Sequence, residues 1–172
     1  MPLSINNRLA NVTLFALTLF YIMMLGGGTY EQINVASVIT AAPPKSLAML
    51  QGPYHFSPVK FWVIFRPITI LLFILALGFH WRAGGLRKKI LLFSFGIDIL
   101  VTIATFAYFA PETGVIAGGP YSNTVDPLLV ERAQLWKNLN LIRLGAFYGV
   151  AGMLLMAVNQ NLSITKRNVE IK

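Results

Sequence analysis

Few residues of this chain are equipped for chemistry, and most of them stand near the ends of long apolar runs. In the stretch QLWKNLNLIRLGAFYGVAGMLLMAV (Gln134 to Val158) and just before it, Arg132, Trp136, Asn140 and Arg143 follow one another at spacings of four, four and three. That spacing puts them on one helical face. Arg143 lies about one turn inside the apolar part, where it has two readings. It snorkels to the interface beside a Trp136 that belongs to an aromatic belt. Alternatively it faces the protein interior with Asn140 and marks a site.

Other polar side chains end up at the same depth. Glu31 directly follows the first apolar run in GGGTYEQ, and Arg66 sits about one turn inside the second, after HFSPVKFW. These helix ends face the same side, so Glu31, Arg66, Asn140 and Arg143 are expected to converge on one outer level, with His55 and Tyr30 beside them. A glutamate between two arginines compensates buried charge, which is a structural role. The same cations would also hold an anionic or enolate oxygen, and His55 is a natural proton acceptor near neutral pH. Asp98 lies deeper, about 12 Å into the third run by helical rise. No arginine is expected at its depth, which leaves Thr13 or Thr18 as partners, or a protonated carboxyl that serves as a proton relay. His80, beside Trp81 and Arg82, reads as an interfacial residue.

Much chemistry is excluded. With no cysteine there are no disulfides, thiolate nucleophiles or thiolate-held metals. The two histidines are expected on opposite sides of the membrane and no Glu-x-x-His pair occurs, so no metal site and no two-histidine haem are expected. Nor is there a serine–histidine–acid set, a phosphate loop or a dinucleotide fingerprint. No cofactor is announced.

The elements that must position these groups are membrane spans. The 172 residues are 56% hydrophobic and 12% charged, against about 25% charged in soluble domains. Four runs reach the roughly 20 residues that a bilayer crossing requires: about 9–28, 61–79, 90–109 and 139–158. The first resembles a retained helix more than a signal peptide, because its apolar stretch is long and only Arg8 precedes it. The last helix is expected to start early, at Asp126 as cap and Pro127 as first residue, and so to project beyond the membrane. Gly145 and Gly149, with Gly152 beyond, form a small-xxx-small pattern that predicts close approach of a neighbouring helix.

The net charge of +8 has a membrane explanation. Arg8, the 82–89 turn and the tail (Lys166, Arg167, Lys172) collect basic residues on one side, which places both termini in the cytoplasm, with nucleic-acid binding not expected. The expected fold is thus a single all-α membrane domain, a four-helix bundle with N-in/C-in topology. Its two long outer connections, about 29–60 and 110–138, carry strand-like INVASVIT and GVIAGGPYSN segments that would form a small β cap, and KSLAML reads as one or two helical turns. The implied compartment is a bacterial inner membrane.

Three of these stretches resemble the anthrone oxygenase-like family of small four-helix membrane proteins, a domain of largely unknown function (DUF1772). They are GGGTYEQINVASVITAAPPKSL, KFWVIFRPI and ERAQLWKNLNLIR, and together they span most of the chain. The positions that match the family pattern are Glu31, Trp62, Trp136, Asn140 and Arg143. The resemblance implies oxidation of anthrones to anthraquinones without metal or flavin. Such chemistry would use Arg66 and Arg143 as stabilisers of a carbanion and His55 or Glu31 as base, with Tyr30, Trp62, Trp136 and Asn140 around the ligand. Two functions stand side by side: an oxygenase-like membrane enzyme or binder acting on a hydrophobic aromatic or quinone-like ligand, and a non-catalytic subunit or scaffold that meets a membrane-protein partner or a second copy. A transporter ranks third, because no repeats or broken midplane helices are visible.

Overall fold

The computed structural model describes residues 5–51, 53–81 and 85–170, with side chains from 7 to 160. Of the basic residues in the charge count, Arg82, Lys172 and the side chains of Lys166 and Arg167 lie outside that description. The chain is helical in order: α1 (Ile5–Tyr30), a π-helical segment (Glu31–Ala36), α2 (Ser37–Ile39), a 3-10 helix (Lys45–Leu50), α3 (Val59–His80), α4 (Gly85–Ala104), a second π-helical segment (Thr105–Phe109), α5 (Ala110–Ala117) and α6 (Pro127–Glu170). Four helices are long and apolar enough to cross a membrane: Asn7–Ile39, Val59–His80, Gly85–Ala117 and Pro127–Gln160. Each expected span lies inside one of them. Two of the four run for 33 residues, about 50 Å by helical rise, well beyond the ~30 Å hydrocarbon core.

The expected β cap is replaced by helix, and the described residues contain no strand. Ile33–Thr40 continues α1 through the π turn and α2. Its β-branched residues favour strand by a few tenths of a kcal/mol each, which burial outweighs: Val35, Ala36 and Ile39 are core residues. The hydroxyls of Ser37 and Thr40 close back on the carbonyls of Ile33 and Ala36, so they sit in the helix without competing for another partner. Gly114 to Ala117 of the second segment lies in α5, with Ile116 buried. All that remains of a sheet there is an isolated bridge between Pro44 and Val125. KSLAML forms its expected turns as the 3-10 helix. The early start of α6 holds too: Asp126 Oδ1 accepts from the amides of Leu128 (2.9 Å) and Leu129 (3.3 Å).

The chain divides into two compact units, one from 1–25, 63–99 and 147–172, the other from 26–62 and 100–146. In unit 1, Tyr21 is enclosed by aromatic edges, Phe73 at 5.9 Å and Phe147 at 6.2 Å between ring centroids. Phe73 in turn meets Phe95 at 5.3 Å. In unit 2 the core is Val35, Ala36, Ile39, Leu47, Phe109, Ile116, Ala133 and Trp136.

Close helix approach occurs at different glycines from those expected. A Cβ at Gly145, Gly149 or Gly152 would meet nothing within 4 Å among the described residues. At Gly27 a Cβ would overlap the Phe61 ring, and at Gly28 it would meet the Trp62 ring at 3.3 Å. The GGG run admits those rings because it lacks side chains.

Candidate functional site

In unit 2, the π segments set the polar register. A π turn inserts an extra residue and re-aims the side chains that follow, and such bulges recur at functional sites. The first segment opens with Glu31 and Gln32, and the second presents Thr105 and Phe109. Glu31 Oε2 accepts a 2.6 Å hydrogen bond from Trp62 Nε1, and Arg143 is the cation whose charge it feels. The Arg143 guanidinium lies 4.3 Å above the centroid of the Phe109 ring, and its Nη1 donates to Thr105 Oγ1 at 3.2 Å. Thr105 passes its own hydrogen to Val101 O at 2.7 Å, so its oxygen is committed as an acceptor for the arginine. This stacked geometry suits the planar guanidinium.

The two amides of the cluster have fixed orientations. Gln32 Nε2 donates to Lys137 O at 3.2 Å. A carbonyl can only accept, so Gln32 Oε1 is the atom that meets Asn140, and Asn140 Nδ2 donates to it at 2.5 Å. Asn140 Oδ1 is then left over. The side chain is 5% exposed, and this oxygen is buried without a hydrogen-bond partner among the described residues.

The structure therefore brings Glu31, Trp62, Asn140 and Arg143 into unit 2, together with Gln32 and Thr105, which the sequence reading missed. Trp136 belongs to the same unit, but it is buried in the core and not part of an interfacial belt. Its Nε1 donates to Phe109 O at 3.3 Å. Beside it a recess lined by Ile39, Thr113, Ile116, Ala117 and Trp136 is too shallow to hold a water molecule. His55 lies in the exposed connection before α3, and Tyr30 is 58% exposed. Arg132, the first member of the expected stripe, is exposed and pairs with Glu112 through two bonds of 2.6 and 2.7 Å.

The expected place of Arg66 beside Glu31 is replaced by a pairing within its own unit. Arg66 belongs to unit 1, where Nη1 donates to Asp98 Oδ1 at 2.8 Å and Nη2 to the Asp98 main-chain oxygen at 3.1 Å. Tyr21 Oη donates to the same carboxylate oxygen at 3.2 Å. The expected threonine partners instead turn back on their own helix, Thr13 to Leu9 O and Thr18 to Leu14 O. The reason is visible from the turn between α3 and α4. Arg66 lies 14 residues before His80 and Asp98 lies 13 residues after Gly85, so the two stand about 21 and 20 Å from that turn, at one level.

Among the described residues no group of three or more histidine, aspartate or glutamate side chains is arranged to hold a metal ion. Comparison with protein-family models, with curated proteins and with solved structures returns no match for this chain.

Proposed function

We propose that this chain is an integral membrane protein, with both termini in the cytoplasm of a bacterial cell, that binds a hydrophobic aromatic or quinone-like ligand at the Glu31–Gln32–Asn140–Arg143 cluster. The observation that carries this reading is the leftover Asn140 oxygen, a buried acceptor without a partner among the described residues, in the unit that holds all five positions of the anthrone oxygenase-like resemblance. In a cofactor-independent oxygenation, Glu31 takes the proton from an acidic C–H and Arg143 stabilises the enolate oxygen. The carbanion then bonds to dioxygen and takes back the proton from Glu31 as a hydroperoxide, and loss of the remaining C–H proton with cleavage of the O–O bond leaves a carbonyl and releases water. Arg66 and the exposed His55 have no part in this version. The test is dioxygen uptake and ligand binding by the purified protein in nanodiscs, with anthrone and a naphthoquinone as probes. Arg143→Ala and Asn140→Ala should abolish both while the helical circular dichroism stays at the wild-type level. Absence of binding by the wild type, or equal loss of folding in the variants, would leave the cluster a structural one.

A second reading, a non-catalytic subunit or scaffold of a larger membrane complex, is favoured by one different observation. The face of α6 with Gly145, Gly149 and Gly152 is open, and such faces let helices of separate chains meet closely in lipid. Cross-linking of the protein in native membranes, with and without Gly149→Leu, separates this reading from the first.

A further inference from the structure

Three consecutive cations, Arg87, Lys88 and Lys89, stand at the start of α4, whose first turn holds no acidic residue. The start of a helix is the positive end of its dipole, where basic side chains are unfavourable and anions are favoured. Nothing described in unit 1 answers these charges. Asp98 is its one carboxylate side chain among the described residues. It lies about 14–17 Å further along α4 by helical rise and is taken up by Arg66.

The end of α3 holds two of the three cations in place. Lys88 Nζ lies 3.9 Å from the centroid of the Trp81 ring, so the ammonium is fixed over an aromatic face. That tryptophan is itself 56% exposed. Arg87 is half-buried, and the buried His80 ring feels its charge. His80 brings no compensating anion. Its Nδ1 is 2.8 Å from Ala76 O, and since a carbonyl only accepts, Nδ1 carries the ring hydrogen. Arg87 Nε is buried without a hydrogen-bond partner among the described residues. Lys89 is exposed, and so are the apolar side chains of Phe79 and Leu86 that flank the cations in sequence. An exposed tryptophan at a helix end, with apolar side chains and long basic ones beside it, is the combination that settles at the headgroup layer of a bilayer.

We propose that Trp81, Arg87, Lys88 and Lys89 form a binding site for the headgroup of an anionic phospholipid, with its acyl chains along Phe79 and Leu86. The phosphate oxygens accept from the ammonium and guanidinium groups, which supplies the negative charge that the chain itself does not. The start of α4 adds to the same attraction. A zwitterionic headgroup also carries a phosphate, but its own ammonium is repelled by three neighbouring cations, so the site selects net negative charge. The site shares no residue with the unit 2 cluster and stands whether or not that cluster binds a ligand.

The test uses the full chain in nanodiscs of equal parts phosphatidylglycerol and phosphatidylcholine, with the lipids that stay bound on release counted by native mass spectrometry. A basic residue near an anionic surface is worth about fivefold in affinity. The wild type should therefore retain phosphatidylglycerol over phosphatidylcholine at least tenfold. Arg87→Gln/Lys88→Gln should bring the ratio to within about twofold of unity, whereas the charge-matched Lys45→Gln/Lys60→Gln should leave it at the wild-type value. Should the first pair fail to fold, Lys88→Gln/Lys89→Gln replaces it with the same expected loss. A wild type without preference, a folded first-pair variant that keeps it, or an equal loss in the charge-matched control overturns the proposal. Inorganic phosphate that abolishes the preference, where sodium chloride of equal ionic strength does not, would make this a site for the free ion and overturn it too.

Discussion

Replacing Asp98 by leucine removes the carboxylate but keeps the volume, and the geometry sets what is lost. Arg66 forfeits its 2.8 Å bond and keeps the main-chain oxygen at 3.1 Å, and the Tyr21 hydroxyl forfeits its 3.2 Å acceptor. An uncompensated buried charge costs about 3–5 kcal/mol, and the orphaned hydroxyl adds about 1 kcal/mol. Arg66→Met should cost slightly less, about 3 kcal/mol, because Tyr21 still donates to the remaining carboxylate. The double variant carries neither charge, and replacing a buried pair by apolar residues of similar volume is close to neutral, so it should lie within about 1–2 kcal/mol of the wild type. A double-mutant cycle of detergent-denaturation midpoints, read by circular dichroism, measures this directly. Additive losses, with the double variant as unstable as the sum of the singles, would refute the claim that these two residues neutralise each other.

Three further outcomes are expected. Trp62→Phe removes the 2.6 Å donor to Glu31, and loss of a hydrogen bond to a charged group should destabilise the protein by about 1.5–3 kcal/mol in the same denaturation assay. Gly149→Ala should be neutral or stabilising by up to about 1 kcal/mol in detergent, since helix propensity improves and nothing lies within 4 Å of the new methyl. Asp126→Ala removes the cap on Leu128 and Leu129 and should cost about 1 kcal/mol, seen as faster amide exchange in the first turn of α6.

The spans, the α6 cap and the 3-10 helix were legible because each rests on local signals: apolar length, an Asp–Pro pair, a breaker before a short polar-apolar run. The two long connections were misread because β-branched content is a weak local preference. It yields when the chain can prolong an existing helix and bury Val35 and Ile39. The glycines of α6 show the opposite error. Their spacing permits close contact, but nothing described lies within 4 Å of a Cβ there, and the rings that need the missing Cβ atoms are at Gly27 and Gly28.

The pairing of Arg66 with Asp98 shows how a site is misassigned when depth is counted from the wrong origin. Arg66 was counted from the N-terminal end of the second run and Asp98 from the N-terminal end of the third, which are opposite ends of the bundle, and this sends the arginine to Glu31 and leaves the aspartate alone. Measured from the turn that α3 and α4 share, they are level, and the long arginine side chain closes the remaining distance to 2.8 Å. Once Arg66 is spent there, Arg143 is the cation that acts on Glu31, and its place is fixed by Thr105 and Phe109 on a π turn. No periodicity marks a π turn in a sequence, because it is an extra residue absorbed within an otherwise regular helix. The register of the unit 2 cluster was therefore hidden at the two places where its side chains are re-aimed. The membership of Glu31, Asn140 and Arg143, which rests on α-helical spacing and on position at the span ends, could still be read.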